Sequence, residues 1–210
     1  SGDMYKTGRG SNPVRQTILP LLEKVRDEIF ARTRLAAQTS APFRERWTLF
    51  WANHFTVSSS KLQSAVLCGP FEREAIRPNV FGRFEDLLVA STTHPGMLIY
   101  LDQARSAGPD SLAGRFRGMG LNENLAREVM ELHTVGADAG YSQADVTEFA
   151  RALTGFSIGS ERDSHSERGH FLYRSLLHQP RPRTVMGQTY DQSGMAQGRA
   201  ILKHLAAHPK

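Results

Sequence analysis

The chain has 210 residues, 40% of them hydrophobic and 22% charged, with a formal net charge of +5. That is enough apolar material for one large core, and no apolar run reaches the ~18 residues that mark a transmembrane helix. A single cysteine, Cys68, excludes an intrachain disulfide and reads as a small hydrophobe rather than a nucleophile.

Residues 1–13 are polar, carry no apolar signal segment and read as a flexible N-terminal segment. Residues 14–210 read as a single helical domain. Ile18, Leu21, Leu22, Val25 and Ile29 place an amphipathic helix before Thr39 and Ser40. Pro42 suits the first turn of the next helix, which runs to about Phe55. Trp47, Phe50, Trp51 and His54 fall on one face of it. His54 reads either as a core histidine bonded to a backbone carbonyl or as a ligand or proton carrier. Lys61 to Leu67 reads as a short helix broken by Gly69-Pro70. Phe71 to Ile76 and the stretch around Phe84, Leu87 and Leu88 read as two more, the latter stopping before His94-Pro95. Met97 to Leu101 adds a further turn. Ser106 to Gly120 is a long Gly- and Arg-rich loop, placed to cover whatever follows it.

Leu121 to Gly155 holds the densest set of polar residues on helical spacing. One helix is expected from an Asn122 cap to His133 or Thr134, stopping at Gly136. A second is expected from a Ser142/Asp145 capping box to Gly155, burying Val146, Phe149, Ala150 and Leu153. At 100° per residue, Asn124, Glu128 and Glu131 share one face of the first helix, flanked by Glu123 and Arg127, with His133 pointing elsewhere. This face is expected to be partly buried, and its carboxylates to be paired by Arg127 or by Arg151 of the next helix. The alternative is a divalent metal held by His54, Glu128 and Glu131.

Beyond Gly155, short β-like runs at 171–174 and 184–186 read as a small hairpin excursion near 170–190, before a last helix from Gly198 to about Ala207. Gly155-Phe156-Ser157-Ile158-Gly159 fits G-x-S-x-G, but a helix precedes it where a nucleophile elbow needs a strand, so Ser157 reads as a chance match. His165, His170 and His178 lack a zinc spacing and read as solvated loop residues.

The strings FRERWTLFWANHFTVSSSK, FEREAIRPNVFGRFEDLLVASTTHPGMLIYLDQARSAGP, LNENLAREVMELHTVGADAGYSQADVTEFARALTGF and HQPRPRTVMGQTY together resemble the bacterial domain-of-unknown-function family eighteen-hundred. The resemblance implies a mainly helical fold, a bacterial source and an exported or periplasmic parent protein. Members of that family are longer, so this domain is expected to be incomplete at both ends. Its motif falls on Asn53, His54, Phe55, Asn122, Glu123, Asn124, Arg127, Glu128, Glu131, Arg151, Thr154, Gly155, His178 and Gly187. Phe156 stands where relatives often have Trp, and His133 where many have Phe. The resemblance transfers no activity.

The expected fold is therefore mainly α, a multi-helix domain with a small β-hairpin excursion. The expected function is a non-catalytic or assembly role in the bacterial cell envelope, with an envelope protein as partner and no cofactor. A metal-dependent hydrolase or oxidoreductase built on His54, Glu128 and Glu131 is the alternative. Nucleic acid binding through scattered Arg side chains is a third and weaker alternative, since the charges are not gathered into a stripe.

Overall fold

A computed structural model describes residues 13–209. The expected flexible segment, Pro13 apart, lies outside the described residues. The chain divides into two compact units, Ser1–Ser40 and Ala41–Lys210. Helix α1, Pro13–Gln38, belongs to the first. A proline opens it, where a missing N–H costs nothing. Along α1, Leu19, Leu22, Ile29, Phe30 and Leu35 are exposed.

The second unit is mainly helical. It contains α2 (Pro42–His54), α3 (Leu62–Ala65), α4 (Cys68–Phe71), α5 (Phe84–Thr93), α6 (Pro95–Tyr100), α7 (Leu112–Arg117), α8 (Asn124–Glu128), α9 (Gln143–Leu153) and α10 (Met195–Ala206). α9 forms as its sequence directs. The Ser142 side chain accepts from Asp145 N–H while the Asp145 carboxylate accepts from Ser142 N–H, and Val146, Phe149, Ala150 and Leu153 are buried. α10 packs on α5 and α9. A methyl group at Gly198 would sit 3.1 Å from both the Ala152 carbonyl and the Phe156 ring, so glycine is what lets these backbones approach.

Three expectations differ from what is found. Gly69-Pro70 does not break the chain into separate helices: it lies inside α4, which runs into a π-helical turn, Glu72–Ile76. Proline is tolerated there because the N–H groups in the first turn of a helix have no carbonyl acceptor within it, so a missing one costs little. The helix expected from Asn122 to His133 is likewise split, α8 giving way to a π-helical turn over Val129–His133. Thr134 Oγ1 donates to the Val129 carbonyl (2.7 Å) and Gly136 N–H to that of Met130 (2.9 Å), so the carbonyls of the first two residues of the widened turn are satisfied. The β excursion, finally, is two antiparallel pairs. β1 (Phe156–Ile158) pairs with β2 (Phe171–Tyr173), and β3 (Arg183–Val185) with β4 (Gln188–Tyr190). The two runs read from the sequence are both strands, but each finds its partner elsewhere.

A triad of charges fastens α2 to the first π-turn. Arg77 donates to both oxygens of Glu45 (2.9 and 2.8 Å) and twice to Glu72 Oε1 (3.0 and 2.6 Å), with side chains only 16%, 9% and 10% exposed. The Arg77 hydrogen bonds hold the Glu45 carboxyl below its usual range against the opposing pull of burial.

The end of α9 is where most segments meet. Thr154 is fully buried. Its hydroxyl donates to the Arg151 carbonyl (2.5 Å) and accepts from Gln179 N–H (2.8 Å), and its carbonyl accepts from His178 Nδ1–H (3.0 Å). Leu153 O accepts from the Gln103 side chain (2.9 Å), and Gly155 O from Arg174 N–H (2.8 Å). Gly155 has φ of +92°, and a methyl group there would meet the Tyr173 ring at 2.8 Å and the Arg174 carbonyl at 2.9 Å. Gly155→Ala is accordingly expected to destabilise by about 1–3 kcal/mol, since strain at a positive φ adds to overlap. Urea unfolding measures it, and a change below a few tenths of a kcal/mol would count against this account of the turn.

Candidate functional site: the polar face of α8

The face starts from a side-chain cap. Asn122 Oδ1 accepts from Asn124 N–H (2.8 Å), and the Asn122 amide donates to the carbonyls of Leu101 and Asp102, 3.3 Å each. Asn122 therefore opens the helix, as its sequence position suggests, and also ties it to the segment after α6. The side chain of Asn124 faces solvent.

Glu123 and Arg127 join α8 to α9. The Glu123 carboxylate accepts from Thr147 Oγ1 (2.6 Å) and Gln143 Nε2 (2.7 Å). The Thr147 bond outweighs burial and, with Gln143, Arg127 and Arg151 adding to it, holds that carboxyl below its ordinary range. Arg127 lies 3.5 Å from Glu123 and 3.2 Å from Glu131, and donates to Gln143 Oε1 (2.7 Å). Its side chain is 41% exposed, against 31% and 33% for the two glutamates. The clamp is thus solvent-screened rather than buried. Arg151 pairs with Glu148 of its own helix, and Glu148 also holds Arg183 of β3 at 2.9 Å.

Glu128 stands apart. Among the described residues it has no ion pair and no hydrogen bond. Burial, then the Glu131 charge, push its carboxyl above the ordinary range.

His54 turns away from this face. Its Nε2–H donates to the backbone carbonyl of His133 (3.0 Å), the first of the two roles read for it. Its ring lies 6.1 Å from that of His133, which in turn lies 5.0 Å from the Phe55 ring. His133 is 4% exposed, with a buried Nδ1 that has no partner. Burial first, and the neighbouring His54 second, pull its imidazole down to about 3. Among the described residues no three His, Cys, Asp or Glu side chains are gathered so as to hold a metal ion, so His54, Glu128 and Glu131 do not form one ligand set.

Of the remaining candidates, Ser157 is buried and its hydroxyl donates to the Ala104 carbonyl (2.7 Å), which occupies it structurally. His165 and His170 are exposed. His178 is half-buried on Thr154, a role that sequence reasoning missed. The Ser106–Gly120 stretch folds into α7 beside residues 175–177.

The domain is thus mainly helical, with a polar face tied largely to its own helices. Residues 12–210 match the model of the protein family of unknown function DUF1800, and the chain belongs to that family. No curated protein and no solved structure matches it.

Two outcomes test this description. Arg127→Ala is expected to cost no more than ~1 kcal/mol, as for a solvent-screened pair. Arg77→Ala, which strands two buried carboxylates, should cost ~3–5 kcal/mol in the same denaturant melts. Equal costs would contradict the assignment. For His133, the folded-state value near 3 lies below the usual 6.5, so the neutral ring is what the fold accepts. Stability from this group is full above about pH 6.5 and is lost as pH falls toward 3, at up to ~1.4 kcal/mol per pH unit. His133→Phe should flatten that part of the stability profile, and an unchanged profile would place the acid sensitivity elsewhere.

Proposed function

We propose that this domain serves a non-catalytic, assembly role in the bacterial cell envelope, and that α2 carries its contact surface. The supporting observation is a ladder of near-parallel rings. Phe81 stacks on Phe43 (6.2 Å, 19°), Phe43 on Trp47 (6.3 Å, 11°), Trp47 on Phe50 (5.1 Å, 4°) and Phe50 on His54 (6.4 Å, 14°). Phe43, Phe50 and Phe81 are 69%, 51% and 64% exposed. Trp47 is fixed from behind, its Nε1–H donating to the Val80 carbonyl (2.7 Å). Rigid aromatic side chains held at a surface match the composition of interface anchors, and contiguous exposed apolar patches mark contact sites. The envelope setting rests on the family resemblance and is tested by fractionating cells that express the protein.

Phe43→Ser combined with Phe50→Ser removes two exposed rings without touching the core. The protein, gently extracted from envelopes, is expected to sediment in a complex that the double variant leaves, with at least tenfold weaker association. A wild type that sediments at its own mass, or a variant that stays in the complex, would overturn this reading.

A further inference from the structure

We propose that the groove between α7 and β2 is a binding site for a free long-chain carboxylate, an apolar chain with one anionic end. It is independent of the ring ladder on α2.

The groove has a volume of about 520 Å³, within the ~300–1,000 Å³ usual for small-molecule sites. Its walls come from two places. On one side is α7, a single short helix opened by Ser111, whose hydroxyl accepts from Gly114 N–H (3.0 Å). On the other are β2 and the 3-10 turn Ser175–Leu177 that follows it. Ala113 and Leu177 anchor these walls in a small apolar cluster of their own with Ala107, separate from the main core. Three large apolar side chains lining the groove stay in contact with water: Leu112 at 56% exposure, Phe116 at 80% and Leu176 at 57%. Exposing apolar surface on both sides of one groove is unfavourable, and an apolar chain lying between the walls would relieve it.

The charges in the lining select the sign of the ligand. No Asp or Glu lines the groove, and two arginines do. Arg174 is engaged by Asp163 (3.2 and 2.6 Å) and by the Ile158 carbonyl (3.1 Å). Arg117, exposed in the last turn of α7, has neither an ion pair nor a hydrogen bond among the described residues. Tyr173 adds no competing anion, because burial pushes its phenol up to about 12. Apolar walls with one free guanidinium beside them therefore fit a ligand with an apolar body and a carboxylate head, which a guanidinium can hold in a bidentate pair.

The test is titration calorimetry of the folded chain with dodecanoate, below its micelle concentration, beside dodecyltrimethylammonium and decanoate. Saturable one-to-one binding of dodecanoate is expected. The cationic analogue should bind at least tenfold more weakly, and decanoate about fifteenfold, since each lost methylene is worth about fourfold. Arg117→Glu and Leu176→Glu change exposed residues, and each should weaken dodecanoate at least tenfold with an unchanged circular dichroism spectrum. If one variant does not fold, the other carries the test. Absence of saturable binding, equal binding of the cation, or indifference to both substitutions would overturn the proposal. So would binding to anionic phosphatidylglycerol vesicles without binding of free dodecanoate, which would assign the groove to a membrane surface. A concentration-dependent dimer abolished by Leu176→Glu, with no dodecanoate binding, would assign it to a second copy of the chain.

Discussion

Three consecutive residues at the end of α9 tie the second unit together. Leu153, Thr154 and Gly155 present their carbonyls, and Thr154 its hydroxyl, to groups from three other segments: Gln103, Arg174 and the pair His178-Gln179. Each partner is an N–H, and Gln103 and Gln179 are buried. Leaving a buried one unpaired would cost more than a typical hydrogen bond contributes. The helix must therefore stop where it does, and the chain must turn there through a conformation that glycine adopts without penalty. The β1–β2 pair starts from this turn and supplies one wall of the groove, so the groove's shape is set by how α9 ends.

How much of this was legible depends on how local its cause is. α9 could be read in full because its cap, its buried stripe and its stop are all encoded within fourteen residues, Ser142 to Gly155. Asn122 was readable for the same reason: a capping amide acts on its near neighbour. The strand pairings were not, since three-residue strands carry no period, and β1 finds β2 only across the loop between Gly159 and His170. His178 looked like a solvated loop residue because its partner, Thr154, lies 24 positions away. The groove was hidden inside a stretch that composition marks as irregular, yet six residues of it form a helix.

The ion pairs follow the same division. Those that helical spacing announces, Glu123 with Arg127 and Arg127 with Glu131, lie at the surface, where solvent screens them. The buried triad has a partner 32 positions from Arg77, and its other pair is spaced five apart by a π-turn, so no simple helical pattern marks it. Sequence reasoning thus finds charge pairs most readily where they contribute least. The candidate site bears this mark too. Its most legible members form a surface clamp, while His133, set aside because a regular helix points it away from Glu128, lies in the core against Phe55.

The two π-helical turns also constrain how this chain can change in length. A π-turn holds one residue more than the α-helical turn it replaces. Deleting a residue from Val129–His133 would let the turn close into a regular α-helical one, with the residues that follow still one turn above the same residues below them. His133 would keep its place beside Phe55, and the carbonyl that holds His54 would stay with it. In Glu72–Ile76 the Arg77 N–H bonds the Glu72 carbonyl across the widened turn (2.8 Å), and it would close onto the same carbonyl after such a loss. A deletion in an ordinary α-helical turn has no such slack and rotates everything beyond it by about 100°. Each widened turn is therefore the place in its helix where the chain can shorten by one residue and keep what is packed on either side.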